Sequence, residues 1–83
     1  ISGVLARAGV SPEQIDEVIM GQILSAGAGQ NPARQAAVKA GIPYEKTAYG
    51  INQLCGSGLR SVAEAAKAIA LGDSKIIVAG GQE

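Results

Sequence analysis

The residues that could do chemistry gather around the only cysteine of the sequence, Cys55, in the stretch NQLCGSGLR over residues 52–60. A β-like run precedes this stretch and a helical run follows it, which places Cys55 just before the first turn of a helix. The first backbone N–H groups of a helix have no intrahelical partner and carry positive partial charge, so they stabilise an anion placed there. A thiolate is such an anion. The pattern therefore predicts that Cys55 can act as a nucleophile.

The neighbours of the cysteine fit this interpretation without proving it. Gly56 and Gly58 permit a sharp turn from strand to helix and let a substrate approach the backbone closely. A lone cysteine in an aliphatic chain is also commonly a small buried hydrophobe, and the local pattern leaves both interpretations open. Ser57 is a second candidate nucleophile, but it has no G-x-S-x-G setting and the chain contains no histidine to act as its base. We interpret Ser57 as a helix cap, and Asn52 and Gln53 as supports of the cysteine loop.

The composition limits the classes of protein to which the chain can belong. Its 83 residues form one domain at most, and with two aromatic residues the core must be aliphatic and alanine-rich. The formal net charge is zero with both signs scattered, which argues against a nucleic-acid partner and a polybasic membrane anchor. No apolar stretch reaches the roughly 20 residues of a membrane span. A single cysteine without histidine predicts neither a disulfide nor a metal site, and favours a reducing compartment.

Helix and strand signals alternate along the chain. Capping patterns mark the helix starts, with Pro12 and Gln14 following Ser11, and Pro32 following Asn31. Three strands are predicted, at EVIMGQIL (17–24), TAYGINQL (47–54) and KIIVAGG (75–81). Helices are predicted over ISGVLARAG (1–9), from Asn31 to Gly41 and from Ser57 to Leu71, with one short helical turn after Ser11. The alternation predicts an α/β fold with parallel strands crossed by helices and no internal domain boundary.

The longest predicted helix has one apolar face and one charged face. The charged residues are spaced for favourable pairs along the helix, namely Arg60, Glu64 and Lys67. The apolar face is made of Leu59, Val62, Ala63, Ala66, Ile69 and Ala70. So many small residues on a wide apolar face predict a helix that packs through this face deep inside a layered protein, with an interior N-terminus.

Three ordered blocks, GQNPARQ, NQLCGSG and IIVAGGQE, resemble the thiolase family, and the similarity extends over nearly the whole chain. Within the family the chain is most similar to the biosynthetic acetoacetyl-CoA type, the acetyl-CoA C-acetyltransferases. The resemblance implies a thiolase-like layered α-β-α-β-α fold, of which residues 1–83 are part of the N-terminal domain. The chain also begins inside a helical pattern without methionine, so we expect a segment of a longer protein.

The resemblance implies that Cys55 is the acyl-accepting nucleophile and that its backbone N–H is an oxyanion donor. The implied reaction is the Claisen condensation of two acetyl-CoA molecules to acetoacetyl-CoA and CoA, or the reverse thiolytic cleavage of a 3-oxoacyl-CoA. CoA thioesters are then substrates, and no bound cofactor is implied. Thiolases also use a histidine and a second cysteine from the C-terminal half. Because neither is present here, we expect the 83 residues alone to be inactive.

Further properties follow from the same resemblance. It implies a homotetramer that works in fatty acid metabolism, in the cytoplasm or, in a eukaryote, in the mitochondrial matrix. Two alternatives remain open: a condensing enzyme of the ketoacyl synthase type, and a non-catalytic thiolase-like segment that serves only in packing.

Several other residues are predicted to be structural. GAGQNPARQ (27–35) has glycines before a helix start, but it lacks the lysine of a phosphate-binding loop, so nucleotide binding is the weaker interpretation. Arg34 and Gln35 are expected to make structural hydrogen bonds. Gly80 and Gly81 are expected to permit a tight exit from the third strand, and Glu83 to be a hydrogen-bonding group.

Overall fold

The computed structural model describes all residues from 1 to 83. Its elements in chain order are α1 (Ser2–Ala8), a 3-10 turn (Pro12–Gln14), β1 (Glu17–Gly21), α2 (Pro32–Lys39), β2 (Thr47–Ile51), α3 (Ser57–Ala70) and β3 (Ile77–Gly81). Every predicted helix and strand is present in the predicted order. The first two strands end three residues earlier than predicted, because the chain leaves the sheet at Gly21 and Ile51 to form loops.

The three strands form one parallel sheet in the order β2-β1-β3. In the central strand, Glu17 pairs with Thr47 and Ile77, and Gly21 pairs with Ile51 and Gly81. All three strands therefore end at the same edge of the sheet. The chain passes from β1 to β2 on one side and then crosses to β3 on the other, and such a reversal leaves a crevice beyond the carboxyl ends of the strands. The α/β prediction is confirmed.

Helices cover both faces of the sheet. Val18 and Met20 on β1 belong to a buried cluster on one face, whose other members are Leu5, Ile15, Ala33, Ala37 and Ile42. Ile19 is also buried but points to the opposite face, because successive side chains of a strand alternate. That face is covered by α3, while α2 covers the first and α1 contributes Leu5 to the cluster there. The core is aliphatic and alanine-rich, as the composition predicts.

The segment before α2 is held by side chains of that helix. Asn31 accepts a hydrogen bond from the Arg34 N–H at 3.1 Å, which is the predicted helix cap. The Gln35 side chain donates to the carbonyl oxygens of Ala28 and Gln30 at 2.8 and 2.9 Å. The Gln35 amide group thus fills the glycine loop, and carbonyl oxygens of the loop point toward this amide. Carbonyl oxygens repel phosphate. This arrangement argues against an anion cradle in GAGQNPARQ.

Arg34 has the structural role that was predicted. Its guanidinium donates to the carbonyl oxygens of Tyr44 and Lys46 at 3.3 and 2.6 Å. These bonds tie the start of α2 to the segment that leads into β2.

The face of α3 that packs against the sheet is not the predicted apolar face, whose burial within a longer protein stays a prediction. Leu59, Val62 and Ile69 are 78%, 49% and 46% exposed. The residues that pack against the sheet are instead small, namely Ser57, Ser61 and Ala65. The reason is that Gly21, at the end of β1, lets the start of α3 lie so close to the sheet that even a Cβ at this position would overlap the helix backbone.

The charged side of α3 is as predicted. Arg60 pairs with Glu64 at 2.9 Å, and Lys67 approaches the same carboxylate at 3.4 Å. None of the helices is both long enough and apolar enough to span a lipid bilayer.

Candidate active site

Cys55 lies in the short loop between β2 and α3, at the edge of the sheet where all three strands end. Its side chain is exposed, so the interpretation as a small buried hydrophobe is wrong in this chain. The cysteine lines a shallow cleft of about 170 Å³. The other walls of the cleft come from the ends of β1 and β3 and from the first residues of α3. The topology thus places Cys55 at the crevice where open α/β sheets bind their ligands.

The residue before the cysteine has an unusual backbone conformation. Leu54 has φ +50°, in the left-handed region that residues with a Cβ rarely adopt. Its N–H donates to Asn52 Oδ1 at 3.1 Å, and its carbonyl oxygen accepts from Ser57 Oγ at 2.6 Å. The Leu54 side chain is 67% exposed, so packing does not hold this conformation. The hydrogen bonds that Leu54 donates to Asn52 and accepts from Ser57 do.

Ser57 connects the cysteine loop to the helix. Its side chain accepts a hydrogen bond from the Gln53 N–H at 2.7 Å while donating to Leu54, and the residue is only 4% exposed. The prediction that Ser57 is the helix cap was wrong. Gly56 occupies the cap position and Ser57 is the first helical residue, with a hydroxyl directed back into the loop instead of toward the free N–H groups of α3.

One backbone donor in the loop is left free. The N–H groups of Gln53 and Leu54 bond to Ser57 Oγ and Asn52 Oδ1. The next two after the cysteine, those of Gly56 and Ser57, bond to carbonyl oxygens of the loop. No hydrogen bond uses the N–H of Cys55. The arrangement therefore presents an unpaired N–H donor on the same residue as the thiol.

Two further donors follow at the start of the helix. The first hydrogen bond of the α3 helix runs from the Arg60 N–H to the Gly56 carbonyl oxygen at 2.9 Å. The N–H groups of Gly58 and Leu59 come before this bond and have no backbone acceptor. Free N–H groups at a helix start favour negative charge nearby. An oxygen that becomes anionic next to Cys55 would find donors in this region.

The predicted supports of the cysteine differ in how they act. Asn52 uses its side chain, which also donates to the Ile23 carbonyl at 3.4 Å. Gln53 contributes only its backbone groups. A Cβ on Gly56 or Gly58 would meet its nearest atoms at 3.5 and 3.8 Å, which is ordinary contact. The turn therefore does not require glycine at either position, which corrects the prediction that it needs their permissive backbone, and the positive φ lies at Leu54. That the two glycines let a substrate approach closely stays a prediction.

The glycine that the site does require is Gly21, which sequence reasoning missed. A Cβ there would lie 2.4 and 2.6 Å from the carbonyl carbon and oxygen of Ser57 and 2.7 Å from the Gly58 nitrogen. All three are backbone atoms, so no side-chain movement relieves the overlap. The sequence does show a glycine in the apolar run of the first predicted strand, and this is the feature that could have indicated Gly21. In the sheet, Gly21 pairs with Gly81 of β3.

Residues after β3 fix the opposite wall of the cleft. The Glu83 carboxylate accepts from the N–H groups of Ile23 and Leu24 at 3.0 and 3.1 Å, in keeping with its predicted hydrogen-bonding role. Gly80 and Gly81 lie within β3, which corrects the prediction that they form a tight exit from it. A Cβ on Gly81 would be 3.7 Å from the Gly58 Cα, which is ordinary contact, so the approach of α3 to the sheet does not require this glycine.

Titratable groups elsewhere do not supply Cys55 with a base. Hydrogen bonds from the N–H groups of Lys75 and Ile76 lower the pKa of Asp16, but this residue lies before β1, at the opposite edge of the sheet. Partial burial, followed by the nearby carboxylates of Glu17 and Glu64, raises the pKa of Tyr49. The cleft contains one other ionisable side chain, that of Glu83, and both of its oxygens are engaged. The structure contains no cluster of three or more His, Cys, Asp or Glu side chains that could hold a metal ion.

Comparison with known proteins decides the family. The family model described as "Thiolase, N-terminal domain" matches residues 1–83. The chain belongs to the thiolase family. This thiolase chain is 68% identical over 83 residues to an acetyl-CoA acetyltransferase of Rhizobium meliloti (strain 1021) and 66% identical to one of Shinella zoogloeoides. Each match covers 100% of the thiolase chain but 21% of the relative, so the chain spans about a fifth of the length of these relatives.

Solved structures agree with the thiolase assignment. The crystal structure of the Acat5 thiolase from Ascaris suum in complex with coenzyme A superposes with a TM-score of 0.97 at 36% identity, over 99% of this chain and 22% of that one. The Bacillus anthracis acetyl-CoA acetyltransferase gives a TM-score of 0.89 at 42% identity, over 95% of this chain and 20% of that one. The prediction of a thiolase-like α/β fold is confirmed.

Proposed function

We propose that this chain is the nucleophile-bearing part of a longer thiolase that condenses two molecules of acetyl-CoA to acetoacetyl-CoA and CoA, or catalyses the reverse thiolysis. Cys55 is the nucleophile. The observation that carries the proposal is an exposed thiol beside an unpaired N–H, in the cleft where all three parallel strands end.

In the first half-reaction, the Cys55 thiolate attacks the thioester carbonyl of acetyl-CoA and a sulfur–carbon bond forms. The carbonyl π pair moves onto the oxygen, and the Cys55 N–H donates to this oxyanion. When the tetrahedral intermediate collapses, the bond to the CoA sulfur breaks and CoA leaves as a thiolate that takes up a proton. One thioester replaces another, so the acetyl group moves to Cys55 at little thermodynamic cost.

In the second half-reaction, a base removes a methyl proton from another acetyl-CoA. The carbanion attacks the acetyl carbon, a carbon–carbon bond forms, and collapse of the intermediate returns the electron pair to the Cys55 sulfur. The 83 residues contain no histidine and no second cysteine. The remaining acid–base groups come from the rest of the protein, which is why we expect the isolated chain to be inactive.

Names of relatives support the choice of substrate and location. Bacterial relatives at 66–68% identity are named acetyl-CoA acetyltransferase, and a Rattus norvegicus relative at 58% identity is named the cytosolic form. A structural neighbour was solved in complex with coenzyme A. We infer CoA thioesters as substrates and a cytoplasmic enzyme of acetyl-CoA and fatty acid metabolism. A homotetramer is part of the same proposal, on family resemblance alone.

The proposal is tested by Cys55→Ser in the full-length protein. Because a serine hydroxyl does not ionise near neutral pH, acetoacetyl-CoA formation should fall by at least about 10³-fold. The side chain is exposed, so the thermal unfolding midpoint should stay the same. Wild-type-like condensation by a folded Cys55→Ser protein would contradict the proposal.

A further inference from the structure

We propose that Ser57 is a positioning residue that aims the Cys55 N–H at the acyl oxygen. This inference rests on the proposed function. It concerns a side chain that does not itself touch the reacting atoms but acts through the peptide unit between Leu54 and Cys55.

Two hydrogen bonds define the contact, which we call the Ser57 clamp. The Gln53 N–H donates to Ser57 Oγ at 2.7 Å, and this hydroxyl donates to the Leu54 carbonyl oxygen at 2.6 Å. Ser57 is 4% exposed, and both of these bonds go to the cysteine loop. A buried hydroxyl on the first residue of α3 is thus committed to the loop and not to the helix.

The clamp acts on Cys55 through a rigid unit. The Leu54 carbonyl and the Cys55 N–H belong to one planar trans peptide, in which the C=O and N–H bonds point in opposite directions. Fixing the direction of the carbonyl therefore fixes the direction of the N–H. Ser57 holds the carbonyl on the side of the helix through its hydroxyl at 2.6 Å and its backbone N–H at 3.0 Å, and the N–H of Cys55 remains without an acceptor on the other side.

The clamp is needed because the backbone does not favour this arrangement by itself. Leu54 is held at φ +50°, where its Cβ is crowded against the backbone. Its side chain is 67% exposed in this chain, so packing contributes little to keeping it there. Without the Ser57 hydroxyl, the Gln53 N–H loses its acceptor and the Leu54 carbonyl oxygen keeps only the Ser57 N–H at 3.0 Å. The peptide is then held less firmly and can shift toward a conformation with negative φ, and the Cys55 N–H turns with it.

The test compares two buried serines in the full-length enzyme. Ser57→Ala removes the clamp, while Ser61→Ala removes a hydroxyl one helical turn further on, at 0% exposure, which bonds to Gly58 and Gly80 and does not touch the loop. The two variants match in residue type, helix and burial. Single-turnover acetylation of Cys55 by acetyl-CoA reports on the oxyanion donor, and alkylation of Cys55 by iodoacetamide, which forms no oxyanion, reports on the thiol alone.

Ser57→Ala should slow acetylation by about 10- to 100-fold, somewhat less than the loss of a whole oxyanion donor. Its alkylation rate and its KM for acetyl-CoA should stay within about twofold of wild type, because neither needs the oriented N–H. Ser61→Ala should stay within about twofold in all three measurements. Ser57→Thr keeps the hydroxyl and should restore acetylation to within about threefold.

Different results overturn different statements. Equal acetylation rates in Ser57→Ala and Ser61→Ala, or alkylation that falls in step with acetylation, would overturn the positioning role. If Ser57→Ala does not fold, the test falls to Ser57→Thr. A folded Ser57→Thr protein that is acetylated more than about tenfold more slowly than wild type would also overturn the positioning role. Wild-type enzyme that never acetylates Cys55 would overturn the proposed function, and the positioning role with it.

Discussion

Gly21→Ala is expected to disturb the site more than any other single-methyl change in the chain. Gly21 ends the central strand and faces the first residues of α3, where a Cβ would lie 2.4 Å from the Ser57 carbonyl carbon. Ordinary van der Waals contact begins at 3.4 Å. Since the opposing atoms belong to the backbone, α3 and the cysteine loop must move away from β1 by about 1 Å.

The size of the effect follows from this displacement. Overpacking a close contact costs about 1–3 kcal/mol of folding free energy. A shift of about 1 Å in a catalytic group can lower the rate by about 10²-fold. We therefore expect Gly21→Ala to lower the free energy of unfolding by about 2 kcal/mol and the acetylation rate of Cys55 by about 10²-fold.

The matched control is Gly80→Ala in the neighbouring strand. A Cβ on Gly80 would be 3.9 Å from the end of the Met20 side chain, which is ordinary contact with a flexible group. We expect this variant to stay within about 0.5 kcal/mol of wild type and to acetylate normally. Urea unfolding and single-turnover acetylation of the full-length protein measure both quantities. If Gly21→Ala and Gly80→Ala gave equal results, the account of the helix approach would be refuted.

Two further predictions concern backbone strain and pH. Leu54→Gly removes the strain of a positive φ at an exposed residue, whereas Leu71→Gly, at φ −81° and also exposed, removes none. Urea unfolding should therefore find Leu54→Gly more stable than Leu71→Gly by about 1 kcal/mol. The reverse order would contradict the claim that Leu54 is strained. Asp16→Asn removes a carboxylate whose pKa is lowered by backbone N–H donors, so it should destabilise the protein at pH 7. The stability that the Asp16 carboxylate contributes is present above the ordinary aspartate pKa of 3.8 and is lost as the pH falls through the lower pKa of the folded protein. The urea midpoints of wild type and Asp16→Asn should therefore converge at low pH. An equal difference between the midpoints at all pH values would contradict this prediction.

The local signals in the sequence were sufficient for the elements and for the place of the cysteine. Asn31 with Pro32 and Ser11 with Gln14 mark helix starts through bonds between residues a few positions apart, so their pattern is visible in the chain itself. The position of Cys55 between β2 and α3 follows from the same kind of information.

Features that depend on approach between distant elements could not be predicted. The face of α3 that packs against the sheet is made of Ser57, Ser61 and Ala65, because Gly21 lets the start of the helix lie very close to the sheet. A hydrophobic pattern alone favours the opposite face, which carries the leucine, valine and isoleucine. The positive φ of Leu54 could not be predicted either, since it depends on hydrogen bonds with Asn52 and Ser57 and not on the residue type.

The claim that Cys55 is the acyl-accepting nucleophile is tested most directly by trapping the intermediate. Full-length protein is exposed briefly to acetyl-CoA, quenched with acid, digested and analysed by peptide mass spectrometry. The account predicts an acetyl group on Cys55 that disappears when free CoA is added before the quench. A protein that forms acetoacetyl-CoA while Cys55 stays unmodified would contradict it.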